Sequence, residues 1–183
     1  DVNMKFVSFT RLGRVGFGAV IDNGIADLTG KIAPHVTTLK GLIETDIVVA
    51  GCERAQKQGA DLSLNDVSLL PVIPDPSKIL CVGLNYQKHK IETGRPDADY
   101  PTIFTRFADS QVAHGAPLIK PAQSERFDYE GEMAVVIGRG GRNIPKENAL
   151  DHIAGYACYN DGSIRNFQQH TSQFTPGKTF PGT

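Results

Sequence analysis

Carboxylates alternate with other residues in the segment Asp128–Glu132. Side chains repeat every second position along a β-strand, so Asp128, Glu130 and Glu132 would point to the same face. Carboxylates held close together repel one another and resist desolvation, so a buried face of this kind needs a cation. The pattern therefore has two interpretations, a solvated edge strand or a site for a divalent metal ion.

A further carboxylate, Asp161, directly follows the predicted strand Ile153–Asn160. It lies at a strand-to-helix junction, where it could complete a coordination sphere begun by Glu130 and Glu132.

An imidazole–carboxylate pair lies in a predicted short helix, which Asn85 could cap and Gly94 could end. His89 and Glu92 are three positions apart there and share a face. A carboxylate beside an imidazole raises its basicity and orients it, as a general base requires. An exposed ion pair is the alternative interpretation. The polar loop 95–100 that follows could act with this helix as a lid.

Side chains that can donate hydrogen bonds follow Asp161. Asp161 or Ser163 is predicted to cap a helix in which Arg165 and Gln168, three positions apart, share a face. Lys178 comes later, in a loop rich in Gly and Pro. These donors could bind a substrate carboxylate or a developing oxyanion. A plain helix surface followed by a loop lysine is the alternative.

Short apolar runs predict the strands that must position these groups. The run that follows Glu132, rich in β-branched residues and closed by Gly138, predicts a buried strand. Further predicted strands are Ile79–Gly83 and Thr102–Phe107, the second of which carries Arg106, and a helix is predicted from Pro145 to about His152.

The first 70 residues predict a small α+β domain. An antiparallel meander of Lys5–Thr10, Val15–Ile21 and Ile25–Leu28 precedes two helices, one from Thr37 or Thr38 to Ile43 and one over Asp46–Gln58. Prolines at 71, 74 and 76 predict a stiff linker over residues 71–77, and residues 78–183 form the second predicted domain.

The composition is that of a globular protein, with 40% hydrophobic and 21% charged residues among 183. A net charge of −1, with both signs mixed along the chain, argues against nucleic acid or a membrane surface as a partner. The three cysteines, Cys52, Cys81 and Cys158, are widely spaced and form no CxxC pair. We therefore expect neither a disulfide framework nor a zinc site, and we expect the protein to lie in the reducing cytoplasm.

Three motifs in this order resemble the fumarylacetoacetate hydrolase (FAH) family, and in particular its acylpyruvase and 2-hydroxyhepta-2,4-diene-1,7-dioate isomerase-like members. They are Gly83–Tyr86 with His89 and Glu92, Asp128–Gly138, and Asn160–Arg165. The resemblance implies an α+β, β-rich fold: an FAH-type mixed β-sandwich roll, incomplete at its C-terminus, preceded by the small meander and helix domain.

The resemblance also implies a site. Mg2+ or Mn2+ would be held by Glu130, Glu132 and Asp161, an all-oxygen set that suits hard cations. The catalytic residues would be His89, Glu92 and Lys178, and the substrate-binding residues Tyr86, Arg106, Arg165 and Gln168.

The implied activity is a metal-dependent hydrolase that cleaves a carbon–carbon bond in acylpyruvate-type 1,3-diketo acids, in aromatic or sugar-acid catabolism. An isomerase, tautomerase or decarboxylase that uses the same metal-held enolate is the alternative. The second alternative is a non-catalytic module that binds a metal or a ligand. We expect a small 2-oxo acid as substrate and a homodimer.

The sequence departs from the family pattern in three places. Gly131 replaces a larger apolar residue inside the Glu-x-Glu motif, and Asn166 stands where Asp commonly follows the Arg. The chain also stops at Thr183, well before a typical member ends, which predicts a C-terminally truncated copy.

Overall fold

The computed structural model describes residues 3–88, 91, 94 and 99–183, and in these ranges the protein is rich in β-structure with few helices. The strands are β1 (Phe6–Arg11), β2 (Arg14–Ile21), β3 (Gly24–Asp27), β4 (Leu62–Ser63), β5 (Ser68–Leu69), β6 (Ile79–Gly83), β7 (Thr102–Arg106), β8 (Phe127–Asp128), β9 (Gly131–Ile137), β10 (Ile153–Asn160) and β11 (Ser163–Ile164). The α-helices are α1 (Leu39–Glu44), α2 (Val48–Gln58) and α3 (Arg165–Gln168), and 3-10 helices span Leu64–Asp66, Ala108–Ser110, Lys146–His152 and Thr175–Gly177.

The chain forms two compact units, each built from several segments. The first unit comprises Asp1–Pro74, Ala113–Ala116 and Gly131–Tyr159. The second comprises Asp75–Val112, Pro117–Glu130 and Asn160–Thr183. The predicted division into domains at residues 71–77 stays a prediction.

A five-stranded sheet in the order β4-β3-β2-β1-β5 organises the first unit, and its neighbouring strands are antiparallel. The predicted meander is therefore confirmed. Leu12 and Gly13 join β1 to β2 with positive φ angles of 49° and 75°, the conformation that matches the twist of a tight hairpin.

Two helices bury an apolar face in this unit. The Thr38 side chain accepts a hydrogen bond from the Gly41 N–H and so caps α1, as predicted. Helix α2 begins at Val48 rather than at Asp46 and has no side-chain cap. The core cluster comprises Phe17, Ala19, Ala26, Leu28, Val36, Leu39, Leu42 and Ala55.

Strands β9 and β10 pair in a two-stranded sheet. The strand predicted after Glu132 forms as β9, but the prediction that it is buried is wrong. Exposure alternates along β9 and leaves Met133 and Ile137 each more than 60% exposed. Apolar composition alone does not say whether one or both faces are covered. The helix predicted from Pro145 forms as the 3-10 helix Lys146–His152.

Strands β6 and β7 form an antiparallel pair in the second unit, in the register Ile79↔Arg106 to Gly83↔Thr102. Phe104 of β7 packs edge-on against Phe174, with ring centroids 5.8 Å apart. In the part of the chain that the structure describes, no helix is long and apolar enough to cross a membrane.

Leu42 provides a test of the core of the first unit. Its side chain is fully buried against α2, where Gly51 permits the close approach. We expect Leu42→Ala to lower the free energy of unfolding by about 2–5 kcal/mol, since a cavity remains. Val49→Ala is the matched control, because Val49 is 62% exposed on α2. Urea denaturation followed by circular dichroism measures both, and equal effects would contradict this packing.

Candidate active site

The short antiparallel pair of β8 and β11 joins two motifs that are distant in sequence. Asp128 pairs with Ser163, and just beyond this pair the Asp161 N–H donates to the Glu130 carbonyl at 2.9 Å. The Glu130 N–H donates in turn to Asn160 Oδ1 at 3.0 Å. These backbone bonds place the side chains of Glu130 and Asp161 in one region of the second unit.

Lys178 connects the two carboxylates. Its Nζ lies 2.6 Å from Asp161 Oδ2 and 3.0 Å from Glu130 Oε1, and its side chain is only 1% exposed. The segment before it packs tightly on α3, because a Cβ on Gly177 would overlap the backbone of Gln168. The Phe104 ring lies beside the ammonium, 5.1 Å from Nζ to the centroid.

Arg106 holds the other side of Asp161. Its Nη1 donates to Asp161 Oδ1 at 2.6 Å and to the Gly162 carbonyl at 2.9 Å. The same guanidinium donates to Thr183 O at 2.7 Å and to Ser110 Oγ at 3.2 Å, and Arg106 is 2% exposed. That Arg106 binds substrate stays a prediction. The contacts described here are with protein groups, and they hold Asp161 in position.

Arg165 organises the more exposed side of the cluster. Nε and Nη2 both donate to Asp128 Oδ2, at 2.9 and 2.7 Å. Nη1 lies 2.5 Å from Glu130 Oε1 and donates to Gln168 Oε1 at 2.9 Å. The predicted common face of Arg165 and Gln168 is therefore present, and it adjoins Glu130.

Ser163 belongs to this cluster, although the sequence predicted it as a possible helix cap. It lies in β11 rather than at a helix cap, and α3 begins after Ile164 without a side-chain cap. Its hydroxyl donates to Glu130 Oε1 at 2.8 Å. The alternation of side chains in an extended segment after Asp161 is the signal that could have found it.

Asn166, the departure from the family pattern, has a local partner. Ser124 Oγ donates to its Oδ1, and the Arg126 N–H donates to Ser124 Oγ at 3.0 Å. This hydrogen bond connects the loop before β8 to α3.

The cluster balances charge, with three carboxylates (Asp128, Glu130, Asp161) and three cations (Arg106, Arg165, Lys178). Burial raises the pKa of Glu130, but the Lys178 ammonium, the Ser163 hydroxyl and Arg165 lower it by more, so the net pKa is below its usual range. Hydrogen bonds from Arg165 lower the pKa of Asp128 despite some desolvation. Both carboxyl groups are therefore ionised at neutral pH.

Glu130 and Asp161 are suited to a hard divalent cation, because both offer carboxylate oxygens from adjoining backbone. In the described part of the chain, the contacts to the Glu130 side chain fall on Oε1. Among those same residues, no three His, Cys, Asp or Glu side chains form a metal-binding group. Glu132 lies on β9 in the first unit, and its role as third ligand stays a prediction.

The roles of three other predicted site residues stay predictions. His89 and Glu92 lie outside the described residues. Tyr86 is 46% exposed, and its contact with substrate stays a prediction.

Residues 78–183 match the family model described as the C-terminal domain of fumarylacetoacetate hydrolase. The chain therefore belongs to the fumarylacetoacetate hydrolase family, whose members typically depend on a metal ion. Two curated relatives are both named oxaloacetate tautomerase. The mitochondrial one of Xenopus laevis is 42% identical over 65% of this chain and 38% of its own length. The one of Bacillus subtilis is 37% identical, over 98% of this chain and 67% of its own length.

Solved structures agree with this assignment. A fumarylacetoacetate hydrolase from Exiguobacterium antarcticum superposes with a TM-score of 0.76 and 30% identity, over 98% of this chain and 63% of that one. A probable 2-hydroxyhepta-2,4-diene-1,7-dioate isomerase from Mycobacterium abscessus superposes with a TM-score of 0.72 and 26% identity, over 98% of this chain and 60% of that one. The chain thus spans only about two thirds or less of the relatives it matches.

The buried position of Arg106 generates a stability prediction. We expect Arg106→Met to lower the free energy of unfolding by about 3–5 kcal/mol, since it leaves a buried charge with one partner fewer. Arg106→Lys keeps the charge but not the planar fork, so its loss should be smaller. Arg139→Met is the control, because that side chain is 62% exposed. Chemical denaturation compares the three variants, and an Arg106→Met loss no larger than that of the control would contradict this role.

Proposed function

We propose that this protein is a metal-dependent keto–enol tautomerase of a small 2-oxo dicarboxylic acid similar to oxaloacetate. Both curated relatives described above carry the name oxaloacetate tautomerase, and one of them aligns with 98% of the chain. This evidence favours the isomerase and tautomerase alternative over the hydrolase that the motifs first suggested.

The observation that carries the proposal is the convergence of Lys178 and Arg165 on Glu130, beside Asp161. Tautomerisation moves a proton from the carbon next to a carbonyl to the carbonyl oxygen, and negative charge develops on that oxygen meanwhile. Fixed cations in a site with little water stabilise such charge strongly. A substrate with two carboxylates also needs cations for binding.

A divalent ion, Mg2+ or Mn2+, held by Glu130 and Asp161 with Glu132 as the proposed third ligand, would supply Lewis-acid polarisation of the substrate carbonyl. The protein's own side chains fix these ligands. Arg106 holds Asp161, while Ser163 holds Glu130.

Substrate binding is proposed for the more exposed side of the cluster. Arg165 is 20% exposed and planar, and it can present part of its guanidinium to a carboxylate. Asp128 keeps that guanidinium oriented through two hydrogen bonds. Gln168 uses its carbonyl oxygen on Arg165, so its NH2 group can donate to substrate. We assign the proton transfer to His89, oriented by Glu92, from the motif alone.

Hydrolysis of an acylpyruvate is the second candidate, favoured by the 30% identity to the solved fumarylacetoacetate hydrolase. The same charged cluster would stabilise the enolate that leaves when a carbon–carbon bond breaks. Hydrolysis differs in one requirement, because a water molecule must be activated and must reach the distal carbonyl.

An assay with two substrates distinguishes these activities. We expect the protein with Mg2+ to accelerate keto–enol exchange of oxaloacetate, followed by the ultraviolet absorbance of the enol, and to leave acetylpyruvate uncleaved. EDTA should remove the activity and added Mg2+ should restore it. Cleavage of acetylpyruvate without faster exchange would overturn the proposal in favour of the hydrolase, and neither activity would favour a non-catalytic module.

Two substitutions test the assigned residues within the same assay. Glu130→Gln should abolish the exchange activity that Mg2+ supports, whereas Glu125→Gln, at an exposed glutamate, should leave it unchanged. His89→Ala should lower the rate by about 10²-fold or more while Mg2+ still binds. Full activity in Glu130→Gln would exclude that carboxylate from the site.

A further inference from the structure

Lys178 occupies the space between the two carboxylates that are proposed to hold the metal ion. Its ammonium contacts Asp161 Oδ2 at 2.6 Å and Glu130 Oε1 at 3.0 Å, while its side chain is 1% exposed. An ammonium at these distances already offsets one of the two negative charges that would attract a divalent cation.

We propose that Lys178 competes with the divalent cation for Glu130 and Asp161, so that metal binding displaces its ammonium from both oxygens. The inference rests on the proposed function, because it takes these carboxylates as ligands of the metal. The site would then have two states. In one state Lys178 pairs with the two carboxylates, and in the other the metal ion replaces its ammonium.

Electrostatics require the displacement. A dication bound to the same two carboxylates would lie within a few ångströms of Nζ, and burial leaves little solvent to screen the repulsion. The cluster is balanced while Lys178 remains, so a dication with Glu132 as its third ligand would leave one uncompensated positive charge.

Lys178 is also the cation in the cluster best able to move. Arg106 is held by Asp161 and by carbonyl oxygens of Gly162 and Thr183, so its fork would lose several bonds. Arg165 is held by Asp128 and Gln168. The ammonium of lysine is a point charge on a flexible stem. The ion pairs described for Nζ are with Glu130 and Asp161, and its other described contact is with the Phe104 ring.

Displacement of Lys178 would also change the groups that face the substrate. While Lys178 pairs with both carboxylates, its Nζ donates to Asp161 Oδ2 and lies 3.0 Å from Glu130 Oε1. Once displaced, the ammonium can donate to the oxygen on which substrate charge develops. Metal binding would therefore release the lysine for the reaction as well as supply the Lewis acid.

Mn2+ affinity, measured by isothermal titration calorimetry, tests the competition directly. We expect Lys178→Met to bind Mn2+ about 10-fold more tightly than the wild type or better, which corresponds to about 1.4 kcal/mol. Lys178→Arg keeps a cation and should bind no more tightly than the wild type. Lys120→Met is the matched control, because Lys120 also pairs with a glutamate but is 44% exposed.

Thermal unfolding gives a second readout that does not depend on activity. In EDTA, Lys178→Met should have a lower Tm than the wild type, because two carboxylates lose a shared cation. Saturating Mn2+ should raise the Tm of Lys178→Met by more than it raises that of the wild type. If Lys178→Met does not fold in EDTA, Lys178→Gln takes its place, and folding of either variant only with Mn2+ supports the proposal.

The outcomes separate this inference from the proposed function. If the wild type binds Mn2+ and Lys178→Met binds it equally or more weakly, the competition is wrong while the metal site stands. If neither protein binds Mn2+, the proposed metal site fails and the competition with it. Binding by Lys178→Met alone supports the competition in its strongest form.

Discussion

The buried carboxylate of Asp161 is the group on which the second unit depends. It is 5% exposed, and its two oxygens are held by different cations, Arg106 on Oδ1 and Lys178 on Oδ2. A buried charge is tolerated only with close partners, because its desolvation is not otherwise compensated. The folding of this unit therefore requires that β7 and the segment after the 3-10 helix Thr175–Gly177 meet at Asp161.

This constraint brings together side chains from separate segments of the chain. Asp161 also sets the register of its neighbours, because its N–H bonds the carbonyl of Glu130 and the next residues pair with β8. Glu130 then needs cations of its own, and Arg165 and Lys178 provide them. Each ion pair thus positions the next one. The groups proposed to contact substrate are therefore held by ion pairs that begin in the interior.

The sequence predicted which residues belong to this cluster better than it predicted the contacts between them. The two-residue period placed Glu130 on one face, and the three-residue spacing placed Arg165 beside Gln168, because both rules describe local geometry. The role of Ser163 as a donor to Glu130 was missed, since a Ser after Asp before a helix equally suggests a cap. The burial of Arg106 was missed as well, because it depends on segments more than 50 positions away in sequence, which no local rule describes.

As the proposed site, the charged cluster would favour one class of reaction without selecting a single reaction. Balanced charge and buried donors favour any reaction that passes through an enolate, and tautomerisation and carbon–carbon cleavage both do. They differ in whether water must attack, which depends on the groups that cover the substrate rather than on those that hold its charge. The residues after Glu92, predicted from composition to form a lid, are therefore where members of this family with the same charged cluster would acquire different reactions.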